Sequence, residues 1–516
     1  MTRKGSVIAI AVALALTLMS WTAMACTSVV VTPGASVDGF ASVTHAADCG
    51  SCAFELVKVP AADWEPGTMV DVLNLPQHTG GFQVHEIAGQ PTGKQIPQVP
   101  HTYGYIKSIF GIINEKQVAI GETTISGRRE SRNPNGYFDI TNLSMLALER
   151  GATAREAIKV MGELAEKYGY KDSGEELSVA DPNECWVFEI VGPGPLWEQG
   201  SDEPGAFWVA QRVPDGHVAA SANNAVIDQI DFNDHENFMF SPGIVEYAIE
   251  QGWYDPSKGE PFSWRKHFCN ATSFATCARR VWRVLSLAAP SLADTLDERN
   301  LPFSVPVDKK LSLEDIFAIH RDHYEGTEYY TGDSITAGPW NNPRRYRGLS
   351  FKVDGKTYSW QRMIAQVQSE YVIVTQSRAD LPDDIGGVVW YGAANADTTC
   401  FVPFYASMTE ISPIMNDKAG SHQVFTRDSY WWAISAVSTY ADLKWSYMVK
   451  DIAKWQDKYE GHAVRTQPAV EAAALELHKK DPALAREFLT TYANRNVETV
   501  RDAWWGLLDQ MIEKSP

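Results

Sequence analysis

A cysteine lies directly after a segment that has the three parts of a secretory signal. The chain starts with basic residues at 3–4, continues with an apolar run over 7–19, and reaches a small-x-small triplet at 23–25, just before Cys26. This order is typical of a signal peptide, and the apolar run is short for a bilayer-spanning helix. We therefore predict a signal peptide over residues 1–25, export to the periplasm or the extracellular space, and a mature chain that begins with Cys26.

The same cysteine has a second interpretation. Lipoprotein signals are also cut directly before a cysteine, which then carries lipid. Ala23 and Ala25, at the third and first positions before Cys26, suit the ordinary signal peptidase at least as well. Acylation would remove the free α-amine of the cysteine, so a lipidated, non-catalytic surface protein is one alternative that the sequence leaves open.

The charge balance restricts the partners. Lys and Arg number 45 against 64 Asp and Glu, which gives a formal net charge of -19 at pH 7. Nucleic acids and anionic membrane surfaces are bound through cationic patches, so we expect neither as a partner. No later stretch is apolar for long enough to cross a bilayer, so we expect no transmembrane segment. The sequence leaves a homo-oligomer open.

Short β-branched stretches and amphipathic helices occur in separate runs along the chain. The first predicted strand covers residues 27–32, and the second covers residues 40–45, which would bring His45 and Asp48 back towards Cys26. Strands and helices do not alternate strictly. This favours an α+β fold with stacked antiparallel sheets and helical layers over a parallel doubly wound sheet.

The sequence becomes predominantly helical after about residue 411. An N-cap and first-turn pair at residues 481–482 predicts a helix running towards Asn494, and residues 501–514 predict a separate last helix. We therefore predict a main domain over residues 26–411 and a helical C-terminal region over residues 412–516 that packs on it.

A thiol on the first residue of a chain lies beside a primary amine of the same residue. That amine has a reference pKa of about 7.7–8.0, so it can accept the thiol proton near neutral pH. A mature chain that starts at Cys26 would thus carry a nucleophile and its base on one residue.

Many short stretches occur in the same order as in one known family. They are residues 26–31, 38–39, 45–48, 111–115, 121–124, 146–157, 208–215, 324–327, 376–378, 381–382 and 385–390. Through them the chain resembles the C69 family of dipeptidases, which are cysteine N-terminal-nucleophile hydrolases. The matches extend over most of residues 26 to about 410.

This resemblance implies a four-layer αββα sandwich with Cys26 at the start of a central strand and a helical C-terminal extension. It implies hydrolysis of dipeptides through a thioester, with small peptides as substrates and no metal or organic cofactor. The related choloylglycine and penicillin V acylases share this arrangement. Hydrolysis of N-acyl amides is therefore a second alternative.

The resemblance also assigns candidate catalytic residues beside Cys26. Asp48 corresponds to the family Asp that orients the α-amine, and Asn223 corresponds to the active-site Asn, which would bind the oxyanion. His45 occupies a position where many family members have Arg. Because an imidazole is not permanently charged, this departure leaves the role of His45 open.

Three further residues are candidates for substrate binding. Asn224 replaces Asn223 if the register of the resemblance slips by one residue. Thr123 or Thr124, at the end of a predicted strand, could supply a backbone N–H or a substrate contact.

Cys49 and Cys52 could be half of a metal site or a redox pair. The sequence has no second pair of cysteines with the spacing of metal ligands. A structural disulfide or core thiols are therefore favoured over a redox or metal site.

Overall fold

A computed structural model describes residues 26–50, 52, 54–75, 89–344, 350–416 and 424–515. The predicted signal peptide, residues 1–25, lies outside the described residues. The strands are β1 (Ser28–Val31), β2 (Ser42–Ala46), β3 (Val57–Val59), β4 (Ala62–Asp63), β5 (Met69–Asn74), β6 (Gln90–Pro97), β7 (His101–Thr102), β8 (Tyr105–Lys107), β9 (Gly111–Asn114), β10 (Ala119–Thr124), β11 (Glu175–Ala180), β12 (Cys185–Val191), β13 (Phe207–Arg212), β14 (His217–Ser221), β15 (Phe238–Phe240), β16 (Ser304–Pro306), β17 (Ser350–Val353), β18 (Lys356–Ser359), β19 (Tyr371–Gln376), β20 (Val388–Ala393) and β21 (Val402–Tyr405).

The α-helices of the described residues are α1 (Ile140–Arg150), α2 (Ala154–Tyr168), α3 (Ile244–Glu250), α4 (Trp264–His267), α5 (Arg279–Ala288), α6 (Leu313–His320), α7 (Asp383–Gly386), α8 (Tyr430–Ala441), α9 (Trp445–Gln456), α10 (His462–His478) and α11 (Pro482–Lys514). A π-helical turn, Phe274–Ala278, leads directly into α5. Helix and strand thus occur in the runs that the sequence indicates.

Two large antiparallel sheets form the centre of the structure. The first has seven strands in the order β16-β14-β1-β2-β19-β20-β21, and the second has eight in the order β15-β13-β12-β11-β10-β9-β8-β3. Every ladder between neighbouring strands of these two sheets is antiparallel. The predicted mixture of helices with antiparallel sheets is confirmed.

The two sheets face each other where β2 lies against β10. The hydroxyl of Ser28 in β1 lies 2.7 Å from the backbone oxygen of Thr44 and 2.9 Å from the hydroxyl of Ser178 in β11. Gly121 in β10 comes so close that a Cβ atom there would lie 2.2 Å from the Thr44 oxygen. The backbones therefore meet more closely than any side chain at Gly121 would allow.

Helices contact both sheets. Helices α1 and α2 contact β9, β11, β12 and β13 of the eight-stranded sheet, whereas α5 and α6 contact β14, β16 and β19 of the seven-stranded sheet. The C-terminal helices α8 and α11 pack against β20 and β21. Among the described residues, no helix has the length and apolar character needed to cross a membrane.

The prediction of two separate helices at the C-terminal end was wrong. A single helix of 33 residues, α11, begins after Asp481, whose side chain accepts a hydrogen bond from the N–H of Ala483. The buried residues Ala493, Val497 and Val500 continue one apolar stripe through the predicted break. Because such a stripe packs best as one continuous helix, the polar residues between the two predicted segments do not interrupt it.

Replacement of Gly121 by Ala should destabilise the protein, because a methyl group would collide with the Thr44 backbone and separate the sheets. We expect the free energy of unfolding to fall by on the order of 3 kcal/mol. Urea denaturation measures this difference. Gly506→Ala is the control: its nearest neighbour atom lies 3.9 Å away, so alanine in this helix should raise stability by up to about 1 kcal/mol. Equal effects of the two variants would contradict the close approach of the sheets.

Candidate active site

The first two strands bring the start of the described chain to the centre of the site. Thr27 bridges to Ala46 across the β1–β2 pair, and the N–H of Ala46 donates to the Thr27 oxygen at 3.0 Å. Since β2 returns antiparallel to β1, His45 and Asp48 come back beside Cys26. The sequence-based expectation of this return is confirmed.

Cys26, His45 and Glu122 meet between the two sheets. The Cys26 sulfur, a ring nitrogen of His45 and a carboxylate oxygen of Glu122 all lie within 4.8 Å of one another. The Nε2 atom of His45 lies 3.4 Å from Oε2 of Glu122. All three side chains are buried, with relative exposures of 0%, 2% and 0%. Sequence reasoning did not select Glu122, although an acidic residue within the apolar run of β10 was a usable signal.

The environment of Cys26 opposes its ionisation. Burial raises the pKa of the Cys26 thiol, and the negative charges of Glu122 and Asp48 raise it further, while a backbone hydrogen bond from Asp48 lowers it. Burial lowers the pKa of His45 to about 3, helped by the nearby His320. At neutral pH the imidazole is therefore uncharged, and a thiolate at Cys26 needs a positive charge nearby.

Glu122 in β10 is one of a group of buried carboxyl side chains, and the others lie on β11 and β12, the next two strands of the same sheet. Burial raises the pKa of Glu122 and of Glu175, and the two carboxyls interact directly. Burial also raises the pKa of Glu176 and of Glu189. Two neighbouring carboxyls hold a proton more readily than either would alone, so Glu122 and Glu175 titrate as a pair.

Arg280, at the start of α5, joins the beginning of β1 to the loop after β14. One terminal nitrogen donates to the Cys26 backbone oxygen at 2.6 Å and to the Thr27 hydroxyl at 2.7 Å. The other donates to Oδ1 of Asn223 at 2.8 Å and to the Ala222 oxygen at 3.0 Å. The side chain is fully buried. Sequence reasoning missed this residue, which lies 254 positions after Cys26.

Asn223 adopts a left-handed backbone conformation, with φ of 63°. Its Nδ2 donates to the Thr124 backbone oxygen at 2.9 Å, while its Oδ1 accepts from Arg280. An amide nitrogen carries two hydrogens, so one remains for a further acceptor. The strained backbone and the two contacts fix the direction of that donor.

Asp48 and Arg362 also lie near Cys26. The Ser369 hydroxyl donates to the Asp48 carboxylate. Arg362 approaches Oδ1 of Asn223 at 3.5 Å. Burial lowers the pKa of Arg362 to about 9, and the charge of Arg280 contributes, whereas Asp48 raises it. Arg362 is a second basic residue that sequence reasoning missed.

The structure places the three predicted substrate-binding residues in three different surroundings. The Thr123 hydroxyl is 2.9 Å from the Ser221 hydroxyl, between the sheets. The Thr124 hydroxyl donates to Oε1 of Glu122 at 3.3 Å, so Thr124 lies beside the carboxylate of that residue. Asn224 lines a neighbouring cavity of about 500 Å³. Their roles in binding stay predictions.

The cysteines that follow Asp48 are paired. Cys49 and Cys52 form a disulfide, as one of the two favoured interpretations predicts. Cys269 and Cys277 are free and buried. The loop after Asp48 is thus closed by a covalent bridge.

Comparison with known proteins adds to this geometry. The sequence model of peptidase family C69 matches residues 25–458, which is most of the chain. The chain belongs to peptidase family C69. The resemblance seen in the sequence is thereby confirmed, and the chain is a member of a family of enzymes that hydrolyse peptides.

Several relatives are similar to this C69 chain over long alignments. A probable dipeptidase of Latilactobacillus sakei is 29% identical over 62% of this chain and 62% of its own length. Dipeptidase A of Lactobacillus helveticus is 24% identical over 74% of this chain and 76% of its own. A probable dipeptidase A of Streptococcus pyogenes serotype M3 is 22% identical over 92% and 96%. The chain therefore spans less than two thirds of the first relative and nearly all of the third.

Replacement of His320 by Gln should reduce the loss of stability at acidic pH. His320 is fully buried, its Nε2 lies 2.8 Å from the Thr44 hydroxyl, and burial lowers its pKa from 6.5 to about 3. Below pH 6.5 this histidine therefore binds a proton in the unfolded chain but stays neutral in the folded chain. Because the unfolded state binds more protons, stability is lost as the pH falls from 6.5 towards 3.

The His320→Gln variant has no side chain at this position that binds a proton. Its free energy of unfolding relative to that of the wild type should therefore rise by about 1.4 kcal/mol for each pH unit below 6.5. Urea denaturation of both proteins between pH 8 and pH 4.5 measures the difference, and the values above pH 7 give the pH-independent cost of the substitution. Parallel stability curves over the whole range would contradict a neutral, buried His320.

Proposed function

We propose that this C69 member is an exported dipeptidase that uses Cys26 as an N-terminal nucleophile. The observation that carries the proposal is the position of the Cys26 sulfur, which lies buried beside His45, Glu122 and Asp48. Arg280 also joins the Cys26 backbone to the side chain of Asn223. The relatives named dipeptidase supply the substrate class. Small peptides with a free amino group also suit the acidic surroundings of the sulfur.

The reaction begins with removal of residues 1–25. The new α-amine of Cys26 takes the proton of its own thiol, and the sulfur attacks the carbonyl carbon of the peptide bond. The amine then returns the proton to the leaving amino group, which departs and leaves a thioester. A water molecule attacks the thioester by the same route and restores the thiol and the amine.

The surroundings of Cys26 favour the α-amine as the base. Glu122 and Asp48 disfavour a lone thiolate, but their charges stabilise an ammonium group beside it. A thiolate–ammonium pair on Cys26 is therefore better accommodated than the thiolate alone. His45, with its lowered pKa, is a weak base at neutral pH and serves as a neutral neighbour of the sulfur.

Four residues position or support the reacting groups. Asp48 orients the α-amine, and the remaining N–H of Asn223 donates to the oxygen that becomes negative in the transition state. Arg280 acts through its contacts, because it holds the Cys26 backbone and Asn223 in one arrangement. Thr124 supports the Glu122 carboxylate.

We further propose that the two facing sheets and their helices form the αββα sandwich of N-terminal-nucleophile hydrolases. The support is topological. Strand β1, which begins two residues after Cys26, lies inside the seven-stranded sheet with β14 and β2 on its two sides. Helices contact both sheets, and β2 faces β10 between them.

The exported protein should have the mass of residues 26–516 with an unmodified first residue. Intact-mass analysis of protein recovered from the periplasm or the medium measures this. Cys26→Ser is a sharp control, because ordinary signal peptidase needs only the small residues before the cut, whereas lipoprotein processing needs the cysteine. A diacylglyceryl adduct, or a start at another residue, would overturn the proposed base.

Cys26→Ala should remain folded and lose dipeptidase activity by on the order of 10⁴-fold or more, because both steps of the reaction pass through the sulfur. Cys400→Ala is the matched control for Cys26→Ala, since this thiol is also buried and free. Asp48→Asn should lower kcat more than it changes KM, because the proposed role of Asp48 is to orient the α-amine. Rates are measured on a panel of dipeptides and, in parallel, on N-acyl amino acids. Faster cleavage of the N-acyl substrates would assign the alternative amidase activity, and an active Cys26→Ala variant would exclude the mechanism.

A further inference from the structure

The cluster of Cys26, His45 and Glu122 has a composition that the peptidase reaction does not require. A sulfur, an imidazole nitrogen and a carboxylate oxygen lie within 4.8 Å of one another in a buried space. They come from three separate segments: the short stretch before β1, strand β2 and strand β10. Since both sheets contribute, the cluster lies at the contact between the two sheets.

Two buried atoms in this cluster, Nε2 of His45 and Oε2 of Glu122, form no hydrogen bond to a described residue outside the cluster. Their polar neighbours inside the cluster are each other and the Cys26 thiol, which interacts with the Glu122 carboxylate. The two atoms lie 3.4 Å apart and face the same space as the Cys26 sulfur. Buried polar atoms are normally paired, so two such atoms directed at one point indicate a missing ligand.

Neighbouring residues hold the two side chains in place. The His45 ring packs against Phe110 and Tyr371, with ring centroids 5.3 and 5.5 Å away. The other oxygen of Glu122 accepts from the Thr124 hydroxyl. Supporting contacts of this kind orient the ligands in protein metal sites.

The combination of sulfur, nitrogen and oxygen ligand atoms indicates which metal ion the cluster would bind. Ca²⁺ and Mg²⁺ prefer shells made of oxygen, whereas Zn²⁺ binds thiolate sulfur, imidazole nitrogen and carboxylate oxygen in a tetrahedral arrangement. Bond lengths of about 2.3 Å to sulfur and about 2.0–2.1 Å to nitrogen and oxygen place tetrahedral ligand atoms roughly 3.3–3.7 Å apart. The spacing of this cluster reaches that range with shifts of about an ångström.

We propose that Cys26, His45 and Glu122 form a Zn²⁺ site that reversibly blocks the nucleophile. Binding forms a bond between the metal and the Cys26 sulfur and releases the thiol proton to solvent. The fourth position is open to water or to the α-amine of the processed chain. The binding stands on geometry alone, while the blocking of catalysis rests on the proposed role of Cys26.

The test uses processed, full-length mature protein that has been treated with EDTA and then freed of it. Isothermal titration with Zn²⁺ alone should give one ion per chain with a micromolar or lower Kd. His45→Gln and Glu122→Gln should each weaken binding at least tenfold. The exposed His101, which pairs with Asp63, provides the control variant His101→Gln, whose affinity should equal that of wild type.

Co²⁺ provides a second readout that does not depend on activity. Wild-type protein should show a near-ultraviolet sulfur-to-cobalt charge-transfer band, and Cys26→Ser should lack it. Far-ultraviolet circular dichroism establishes that each variant is folded. Absence of stoichiometric Zn²⁺ binding, or equal affinity in wild type and both cluster variants, would overturn the site.

Activity then separates this inference from the proposed function. Zn²⁺ at the concentration that saturates the site should abolish dipeptide hydrolysis, and EDTA should restore it. If Zn²⁺ binds through the three residues but hydrolysis continues, the blocking role is wrong. If the protein cleaves no dipeptide at all, the proposed function fails while the calorimetric and cobalt results still decide the metal site.

Discussion

The geometry of the site depends on the hydrogen bonds that the guanidinium group of Arg280 donates. This group connects the backbone at Cys26, the side chain of Asn223 and the loop after β14 in one buried network. A planar group with five donors can satisfy several fixed acceptors at once, which a lysine cannot do. Cys26 and Asn223, the proposed nucleophile and oxyanion donor, come from distant parts of the sequence, and the Arg280 side chain contacts both of them.

The same region contains several polar groups that a purely structural core would avoid. The buried carboxyls of Glu122 and Glu175 have raised pKa values, and His45 has a lowered one. Burying ionisable groups opposes stability unless they are neutral or paired. Their concentration around one sulfur fits the observation that proteins depart from local folding rules mainly at functional sites.

Much of the fold could be read from the sequence, because β-branched strands and turn residues are local signals. The β1–β2 return that brings His45 and Asp48 to Cys26 follows from such signals. Arg280 and Arg362 could not be found in this way, since only tertiary packing brings α5 and the segment after β18 to the site. Glu122 was visible as a carboxylate in an apolar strand. The continuous helix α11 was missed because local polar residues concealed its buried stripe.

The bridge between Cys49 and Cys52 closes the loop directly after Asp48, the residue proposed to orient the amine. Such bridges persist in oxidising compartments and are reduced in the cytosol. On the proposed export route, a newly made chain would hold Cys49 and Cys52 as thiols while it stays inside the cell, and the Cys26 nitrogen would still be part of a peptide bond. Proteolytic processing and formation of the disulfide would then both occur outside the cytosol, so the free amine and the closed loop beside Asp48 would be found together only in the exported protein.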